Sequence, residues 1–483
     1  MNSRLSELAQ ETFRGIVGTE NVSDDWVELP SIHLQTYADV SGNKIAMRNR
    51  KCVVRPSSIK EIQEIVRAAR SLSLPMVPLG GATTFYVSGG PVTTEKESIV
   101  LDLRRMNQIL DLDEFSGTVT VQPCVTVEQL NKFLERKGLR YPHHPESRIT
   151  ATVAGAISVN GISPFSTKFG RPGDQVLAMK VVLSDGEIYD VGNKTMFDNV
   201  FRMKNLFIGT EGCVGIITEI TLKVYPIPKS RMMELFGFKN LDDVAKALQG
   251  IVDSGLVPES VMIPERQRIY NEALLPLLST VDVSEILEDN EQFVLVVFSG
   301  DAPIVKFSIE NAETIIQSNG GTKIRDHRVV ESYWENLTQI GAVVTPQMNA
   351  TYGGRKYNSI RGGIPIRALA KYNKAVREAL PPGDKLIDAG ITSYVFLPQL
   401  DAIQICGVLL NDGDSESVVQ FNAWAEKVCE LSKKFGGTIS ASGAIGTLLL
   451  NFAQMEMPGS SEVARKIKKA LDSDHLLNPG KMF

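Results

Sequence analysis

The sequence predicts a mixed fold of helices and strands, divided into more than one domain. Three observations carry this. A length of 483 residues sets a prior of about three domain-sized units, or two larger ones. Strand-like runs alternate with amphipathic helical runs from Cys52 onward. The break Pro226-Ile227-Pro228 then separates two stretches of that kind and reads as a domain boundary. Hydrophobic residues at 43% and charged residues at 22% give a composition able to bury cores, which excludes disorder, collagen-like repeats and coiled coil.

Taken in order, Leu5, Leu8, Phe13 and Ile16 outline a short amphipathic helix, followed by an irregular polar stretch. Cys52–Arg55 reads as a strand closed by Pro56. Ser57-Ser58 caps a helix over Ile59–Ser71 with Ile62, Ile65, Val66 and Ala69 on one face. Met76–Leu79 is a second strand running into Gly80-Gly81-Ala82-Thr83-Thr84 and then Ser88-Gly89-Gly90. Ser98–Leu103 and Gly117–Val121 are strands, and Thr126–Lys137 is a helix ended by Gly138. Ile149–Asn160 is a stretch of small residues. The strands Val176–Ser184 and Glu187–Val191 form a hairpin on the Asp185-Gly186 turn. Phe207–Val224 holds a glycine-rich turn. Two strand–helix units begin near Met232 and Phe293, and Tyr352–Arg367 is rich in arginine, glycine and tyrosine. A strand pair and helix cover Ser393–Phe435, and a closing helix runs from Ser461 to about Leu471.

Several function classes fall away. With 51 Lys+Arg against 56 Asp+Glu the formal net charge is -5, which argues against nucleic acid as a partner. Cys52, Cys124, Cys213, Cys406 and Cys429 are scattered without a CxxC pair, so neither an iron–sulfur nor a structural zinc site is encoded. They read as small buried hydrophobes. Met1–Gly18 lacks a long apolar core, so no signal peptide is visible, and no run approaches the ~20 apolar residues of a membrane helix. The expected setting is soluble, reducing and cytoplasmic.

The strongest local motif is Pro78-Leu79-Gly80-Gly81-Ala82-Thr83-Thr84 directly after an apolar strand. Paired glycines let backbone N–H groups turn inward and cradle a diphosphate, with the threonine hydroxyls as added donors. It is neither GxGxxG nor a P-loop, and alone it also fits a plain tight turn. Gly209-Thr210-Glu211-Gly212-Cys213-Val214-Gly215-Ile216-Ile217 is a second glycine turn, which by itself also fits a bulge or hairpin. Asn478-Pro479-Gly480-Lys481 alone is a turn before a tail.

Together these stretches resemble the FAD-binding family of vanillyl-alcohol oxidase and p-cresol methylhydroxylase, and within it the branch of glycolate oxidase FAD subunits and D-lactate dehydrogenases. The resemblance runs in family order from about residue 50 to the C-terminus. It is carried by Val54–Ser58, Gly80–Gly90 leading to Val100–Asn107, Thr152–Gly161, Leu206–Thr218 and Leu476–Lys481. It implies an α+β fold: a flavin domain of two α+β subdomains over 1–226, an α+β cap domain with an antiparallel sheet over 227–450, and a helix and tail over 451–483 returning to the flavin domain. It further implies that Pro78, Gly80, Gly81, Ala82, Thr83 and Thr84 hold the FAD diphosphate. Pro145, Glu146, Ser147, Thr150, Thr152, Val153, Ala154, Gly155, Ala156, Ser158 and Asn160 would line the cofactor toward the flavin. Glu211, Gly212, Gly215, Ile216 and Ile217 would wrap the adenine and ribose, with Asn478 joining from the tail. Small residues such as Ala154, Gly155 and Ala156 suit close backbone approach to a flat ring. The loop has no histidine, and the resemblance assigns no tethering role to His143-His144, so the FAD is expected to be non-covalent.

The chain departs from that branch in its cap. Where relatives carry histidine-rich stretches for base or metal, this chain reads Asp388-Ala389-Gly390-Ile391-Thr392-Ser393-Tyr394 and Ser440-Ala441-Ser442-Gly443-Ala444-Ile445-Gly446. No histidine remains in either, so no metal site and no metal-assisted oxidation carries over. Tyr394 is then the candidate for the substrate proton, alongside the alternative of a tyrosine packed in a sheet. Arg361 or Arg355 is the candidate carboxylate clamp, alongside the alternative of a solvated loop. Glu331–Trp334 is a candidate cavity wall or simply core, while His327 and His475 read as structural or surface residues. The expected activity is oxidation of an alcohol or 2-hydroxy acid by hydride transfer to the flavin. The electrons would go to an electron-transfer flavoprotein or iron–sulfur subunit, in a chain that also has the option of homo-oligomer formation. A non-catalytic FAD-binding subunit, and a divergent enzyme with a phenolic or other substrate, are the alternatives.

Overall fold

The computed structural model describes residues 2–23, 50–83, 98–195, 201–270, 286–287, 290–335, 355–411, 415–439, 441, 445–446 and 449–482. The first unit is a four-stranded sheet. Helix α1 (Asn2–Val17) precedes β1 (Val22–Ser23) and β2 (Arg50–Val54), and α2 (Ile59–Ser71) leads into β3 (Met76–Leu79) and β4 (Ser98–Asp102). The strand order is β1-β2-β4-β3, with β4 parallel to both of its neighbours. Parallel strands need a crossover, and α2 provides it between β2 and β3. Ser58 starts α2 by accepting the Glu61 N–H at 3.2 Å, and the helix buries Ile62, Ile65, Val66 and Ala69.

The second unit is an antiparallel sheet built from β5 (Ile109–Asp113), β6 (Thr118–Val121), β8 (Val176–Val182), β9 (Ile188–Gly192) and β10 (Ile216–Lys223), in the order β5-β6-β10-β8-β9. Between β6 and β8 lie α3 (Val127–Glu135), the short strand β7 (Leu139–Arg140), α4 (Val153–Val159) and α5 (Ser166–Phe169). Thr126 and Gln129 form a capping box that fixes the start of α3. β11 (Tyr225–Pro226) pairs with β7 at the point where the chain leaves this unit. Strand β5 and helix α4 are both absent from the sequence reading, because one lies largely exposed and the other is built of small residues.

The third unit is a seven-stranded antiparallel sheet of β12 (Ser230–Phe238), β13 (Ser260–Pro264), β14 (Gln292–Gly300), β15 (Thr322–Lys323), β16 (Arg355–Pro365), β17 (Leu386–Phe396) and β18 (Asp401–Asn411), ordered β15-β12-β14-β13-β17-β18-β16. Alternate residues serve two layers. Phe236, Val261, Val296, Ile360, Val395 and Cys406 face α6 (Leu241–Asp253), α7 (Ala302–Ser318), α8 (Leu369–Glu378) and α9 (Ser415–Lys434). Leu235, Met262, Leu295, Tyr394 and Ile405 face the opposite way, with Tyr333. The arginine- and glycine-rich segment read as a candidate loop is strand β16 over its described part, hydrogen-bonded along its whole length to β18. Its glycines answer to packing: a Cβ on Gly362 would lie 2.8 Å from Ser432 Oγ and 3.0 Å from the Tyr372 hydroxyl.

Helix α10 (Pro458–Leu471) and the tail pack back on the first two units. Met76 N donates to Leu476 O at 2.6 Å and Asn478 N to Met76 O at 2.8 Å, so the tail closes the free edge of β3. Lys468 Nζ is buried, donating to Cys213 O at 2.6 Å, Leu477 O at 2.7 Å and the Asp472 carboxylate. Asp472 in turn accepts the Leu476 and Leu477 N–H groups, both at 2.8 Å. The cap meets the second unit through Thr167, whose hydroxyl donates to Val395 O at 2.8 Å and accepts Val261 N–H at 3.0 Å. Among the described residues no helix is long and apolar enough to cross a membrane.

Candidate functional site

All three units meet around one cleft, with about 1430 Å³ of space outside atoms when its open side is included. The first unit contributes Pro78 to Thr83 and Leu103. The second contributes Pro123, Cys124, the run His143–Ser147, much of Ala151–Pro164, and Glu211 to Ile217. The cap contributes Arg361, Tyr394 and Ile405.

Two backbone segments meet where the first and second units line the cleft. Thr152 caps α4 by accepting Gly155 N–H at 3.2 Å, and the Gly80-Gly81 turn lies directly on that cap. A Cβ on Gly81 would sit 2.1 Å from Thr150 O, and one on Gly80 would sit 2.6 Å from Thr152 Oγ1. The glycines are therefore required by contact between the first and second units, a reason beyond the freedom of a phosphate loop. Ala82 follows with φ +51, a left-handed conformation unusual for a residue with a Cβ. Among the remaining predicted residues, Pro145, Glu146, Ser147, Thr152, Ala154, Gly155, Ala156, Ser158, Gly212, Gly215, Ile216 and Ile217 line the cleft. Val153 does not, pointing instead into the core beside Ile157. Thr150 is exposed and contributes its carbonyl. Asn160 ends α4 and accepts Gly173 N–H at 3.1 Å. Thr84, Ser442 and Gly443 lie outside the described residues.

Glu211 lines the cleft, and one oxygen of its carboxylate also ties down a distant segment. With φ +52 and the side chain buried, Oε1 accepts Ile445 N–H at 2.7 Å and Gly446 N–H at 3.1 Å from the segment after α9. Its backbone carbonyl accepts Asn478 Nδ2 at 2.6 Å. Burial pushes the carboxyl up, opposed by the Gly446 N–H, the Lys481 charge and the Ile445 N–H. Asn478 thus props Glu211 from beneath and does not itself line the cleft.

On the cap side Arg361 and Ile405 face each other across β16 and β18, and Tyr394 lies on β17, the far neighbour of β18. Arg361 is half-buried and Tyr394 is 5% exposed. Arg355 pairs with Asn411 at the start of the same strand, roughly 20 Å from Arg361 along it. The cleft gathers Arg361 and Tyr394 and leaves Arg355 away. Trp334 packs edge-on to Phe165 at 5.7 Å, behind the wall, and His327 and His475 are exposed.

His143 and His144, given no role from sequence, line the cleft. Burial, with the neighbouring His144, pushes His143 down to about 3. Burial, with Arg148, Arg231 and Arg140 nearby, pushes His144 down to about 4. Both stay neutral while unfolded histidine takes a proton near pH 6.5. The folded state therefore holds its full stability above pH 6.5 and loses it as pH falls toward 4. At pH 5 each histidine costs about 2 kcal/mol. A His143→Phe/His144→Gln variant is expected to lose less stability than wild type between pH 7 and pH 5 in urea melts (both pH values are approximate choices, about 0.5 above and 1.5 below the free histidine value). Equal losses would refute the assignment. The signals that could have found this pair are its adjacency to Pro145 and its apolar surroundings. Ile162, Ser163, Pro164 and Ile405 carry no local signal and reach the cleft through tertiary packing alone.

An extended group of phosphates and flat rings fits this cleft. The side formed by the first and second units is walled by backbone and small side chains, and Ser163 Oγ and Glu211 Oε2 are buried without a hydrogen-bond partner among the described residues. Among the same residues no cluster of His, Cys, Asp or Glu side chains could hold a metal.

Residues 50–192 match the family described as FAD binding domain, and residues 227–482 match FAD linked oxidases, C-terminal domain. The glycolate oxidase subunit GlcD of Bacillus subtilis (strain 168) is 27% identical over 436 residues, covering 89% of this chain and 88% of that protein. The probable mitochondrial D-lactate dehydrogenase of Danio rerio is 26% identical over 492 residues, covering 99% of this chain and 92% of that protein. A crystal structure of p-cresol methylhydroxylase with substrate bound shares the fold at TM-score 0.79 and 17% identity, covering 99% of this chain and 96% of that one. With its two halves matched in order around one cleft, the chain belongs to the FAD-linked oxidases and is an FAD-dependent oxidoreductase with an α+β fold of the p-cresol methylhydroxylase type.

Proposed function

We propose that the protein oxidises the carbinol of a 2-hydroxy acid to the 2-oxo acid, with Arg361 holding the carboxylate and Tyr394 receiving the hydroxyl proton. The observation that carries this is that both residues lie on one sheet face of the cap and line the cleft. They lie on the two neighbours of β18, two residues out of line, so their backbones are roughly 12 Å apart. Two long side chains close that span around a small acid. The names of the relatives in Bacillus subtilis and Danio rerio, a glycolate oxidase subunit and a D-lactate dehydrogenase, support the same class.

Gly80, Gly81, Ala82 and Thr83 would hold the diphosphate of FAD, and Ala154, Gly155 and Ala156 would lie along its body. Bound FAD supplies a two-electron acceptor for the hydride of the carbinol carbon. Arg361 orients the substrate by a charge-assisted pair of hydrogen bonds, fixing which face of the carbinol is presented. Tyr394, almost wholly enclosed, would act as its phenolate, taking the hydroxyl proton to become the neutral phenol as the hydride leaves the carbinol carbon. Ile405 and Ile162 keep water from the reacting carbon. We assign the electrons to a protein acceptor, an electron-transfer flavoprotein or an iron–sulfur subunit, because the scattered cysteines offer no cluster site in this chain.

The test is anaerobic mixing of the flavin-loaded protein with hydroxy acids. Flavin absorbance is expected to bleach, and Tyr394→Phe to slow bleaching by about 10²–10³-fold with little change in substrate affinity. Bleaching by phenols but by no hydroxy acid would replace this reading with the phenolic one.

A further inference from the structure

One group of charges lies behind the cleft wall, where the second unit meets the cap. Arg140 ends β7 of the second unit, Arg231 lies on β12 of the cap, and Glu259 stands just before β13. Arg140 Nη2 is 2.5 Å from Glu259 Oε1, and Arg231 Nε is 2.9 Å from Glu259 Oε2. The carboxylate is fully buried, while the two arginine side chains are 11% and 30% exposed. Burial alone would raise the Glu259 carboxyl, but the charges of Arg231 and Arg140 overcome it and hold the group below the usual carboxylate range. A guanidinium keeps its proton in proteins, so the triad carries one surplus positive charge. Arg140 Nε and Nη1 are buried without a hydrogen-bond partner among the described residues, so no further bond takes up that charge.

One aromatic ring joins the triad to the cleft. Both guanidinium groups sit 5.5 Å from the centre of the Phe165 ring, and the His144 ring meets the same ring edge-on at 5.1 Å. His144 lines the cleft, as do Ser163 and Pro164 immediately before Phe165. The arginines are felt at that wall: beyond burial, Arg148, Arg231 and Arg140 all push the His144 imidazole down. Arg148 is paired with Glu128 at 2.9 Å, which offsets its charge locally. Arg140 and Arg231, sharing a single carboxylate, supply the standing field.

Such a field has a defined effect on a flavin. Two-electron reduction can leave the ring system negatively charged, and a buried positive charge nearby favours that form. We infer that the Arg140–Glu259–Arg231 triad sets the redox potential of the bound flavin, its surplus positive charge favouring the reduced ring across the wall of Phe165 and His144. The three are positioning residues that act through the field and touch no substrate. The inference needs the flavin in this cleft and nothing about the substrate, so it stands apart from the hydroxy-acid reading.

The test is the midpoint potential of the flavin-loaded, full-length protein, measured by equilibration with a redox dye near neutral pH. Arg140→Gln removes the surplus charge and is expected to shift the equilibrium about tenfold toward oxidised flavin, a fall of about 30 mV for two electrons. Glu259→Gln adds one positive charge and is expected to shift it by a similar amount the opposite way. The double variant has the wild-type net charge and is expected to return close to the wild-type potential. Arg140→Lys, which keeps the charge without the fork, should do the same. A packing defect has no reason to change sign with charge. Should Glu259→Gln fail to fold, Arg231→Gln takes its place and is expected to match Arg140→Gln. Unchanged potentials, shifts of one sign in Arg140→Gln and Glu259→Gln, or an equal fall in Arg140→Lys and Arg140→Gln would each overturn the assignment.

Discussion

Replacing Arg361 by alanine is expected to lower kcat/KM for the hydroxy acid by about 10²–10³-fold, with most of the loss in KM. The carboxylate does not react, so its grip is felt in both the bound and the transition state, and losing it weakens both. The size follows from removing a charge-assisted, two-pronged hydrogen bond inside a cleft where water cannot replace it fully. Arg361→Lys should recover only part of the loss, because an ammonium cannot match the fork of a carboxylate. The measurement is the concentration dependence of anaerobic flavin reduction. Unchanged KM in both variants would remove Arg361 from substrate binding.

Gly81→Ala is expected to yield protein with little bound flavin and a stability lower by on the order of 3 kcal/mol. The added Cβ would lie 2.1 Å from Thr150 O and 3.1 Å from Thr150 C, backbone atoms that cannot swing aside. Either the Gly80–Thr83 turn or the start of α4 must move, and both line the cofactor end of the cleft. Gly459→Ala is the control, since a Cβ there meets nothing within 4 Å. Flavin-to-protein absorbance and urea melts on the two variants give the answer, and full flavin content in Gly81→Ala would contradict the packing argument.

Much of the fold was legible in short stretches. Ser58 with the spacing Ile62, Ile65, Val66 and Ala69 specifies α2 through local capping and one buried face. Asp185-Gly186 turns the β8–β9 hairpin by backbone preference alone. The Gly80 loop and the small residues around Ala154 were legible as lining because both need close backbone approach. What escaped is set by register and by distant chain. Gly362 and Gly363 look like loop residues until Ser432, Tyr372 and Ala441 are seen pressing on them. Ile405 enters the cleft because β16 and β17 both pair with it. Glu211 lines the cleft as read from the sequence, but nothing local foretells that its Oε1 also accepts two N–H groups 234 and 235 residues away.

The tail beneath the cleft also bears on biosynthesis. Asn478 supports Glu211 across 267 residues, and Lys468 reaches Cys213 across 255. A nascent chain that has already made both flavin-domain sheets still lacks the strut under Glu211 and the cover on the edge of β3. Translation must pass through the whole cap before these pieces exist. An interrupted chain would therefore carry an uncovered strand edge at β3, of the kind that invites pairing with other chains.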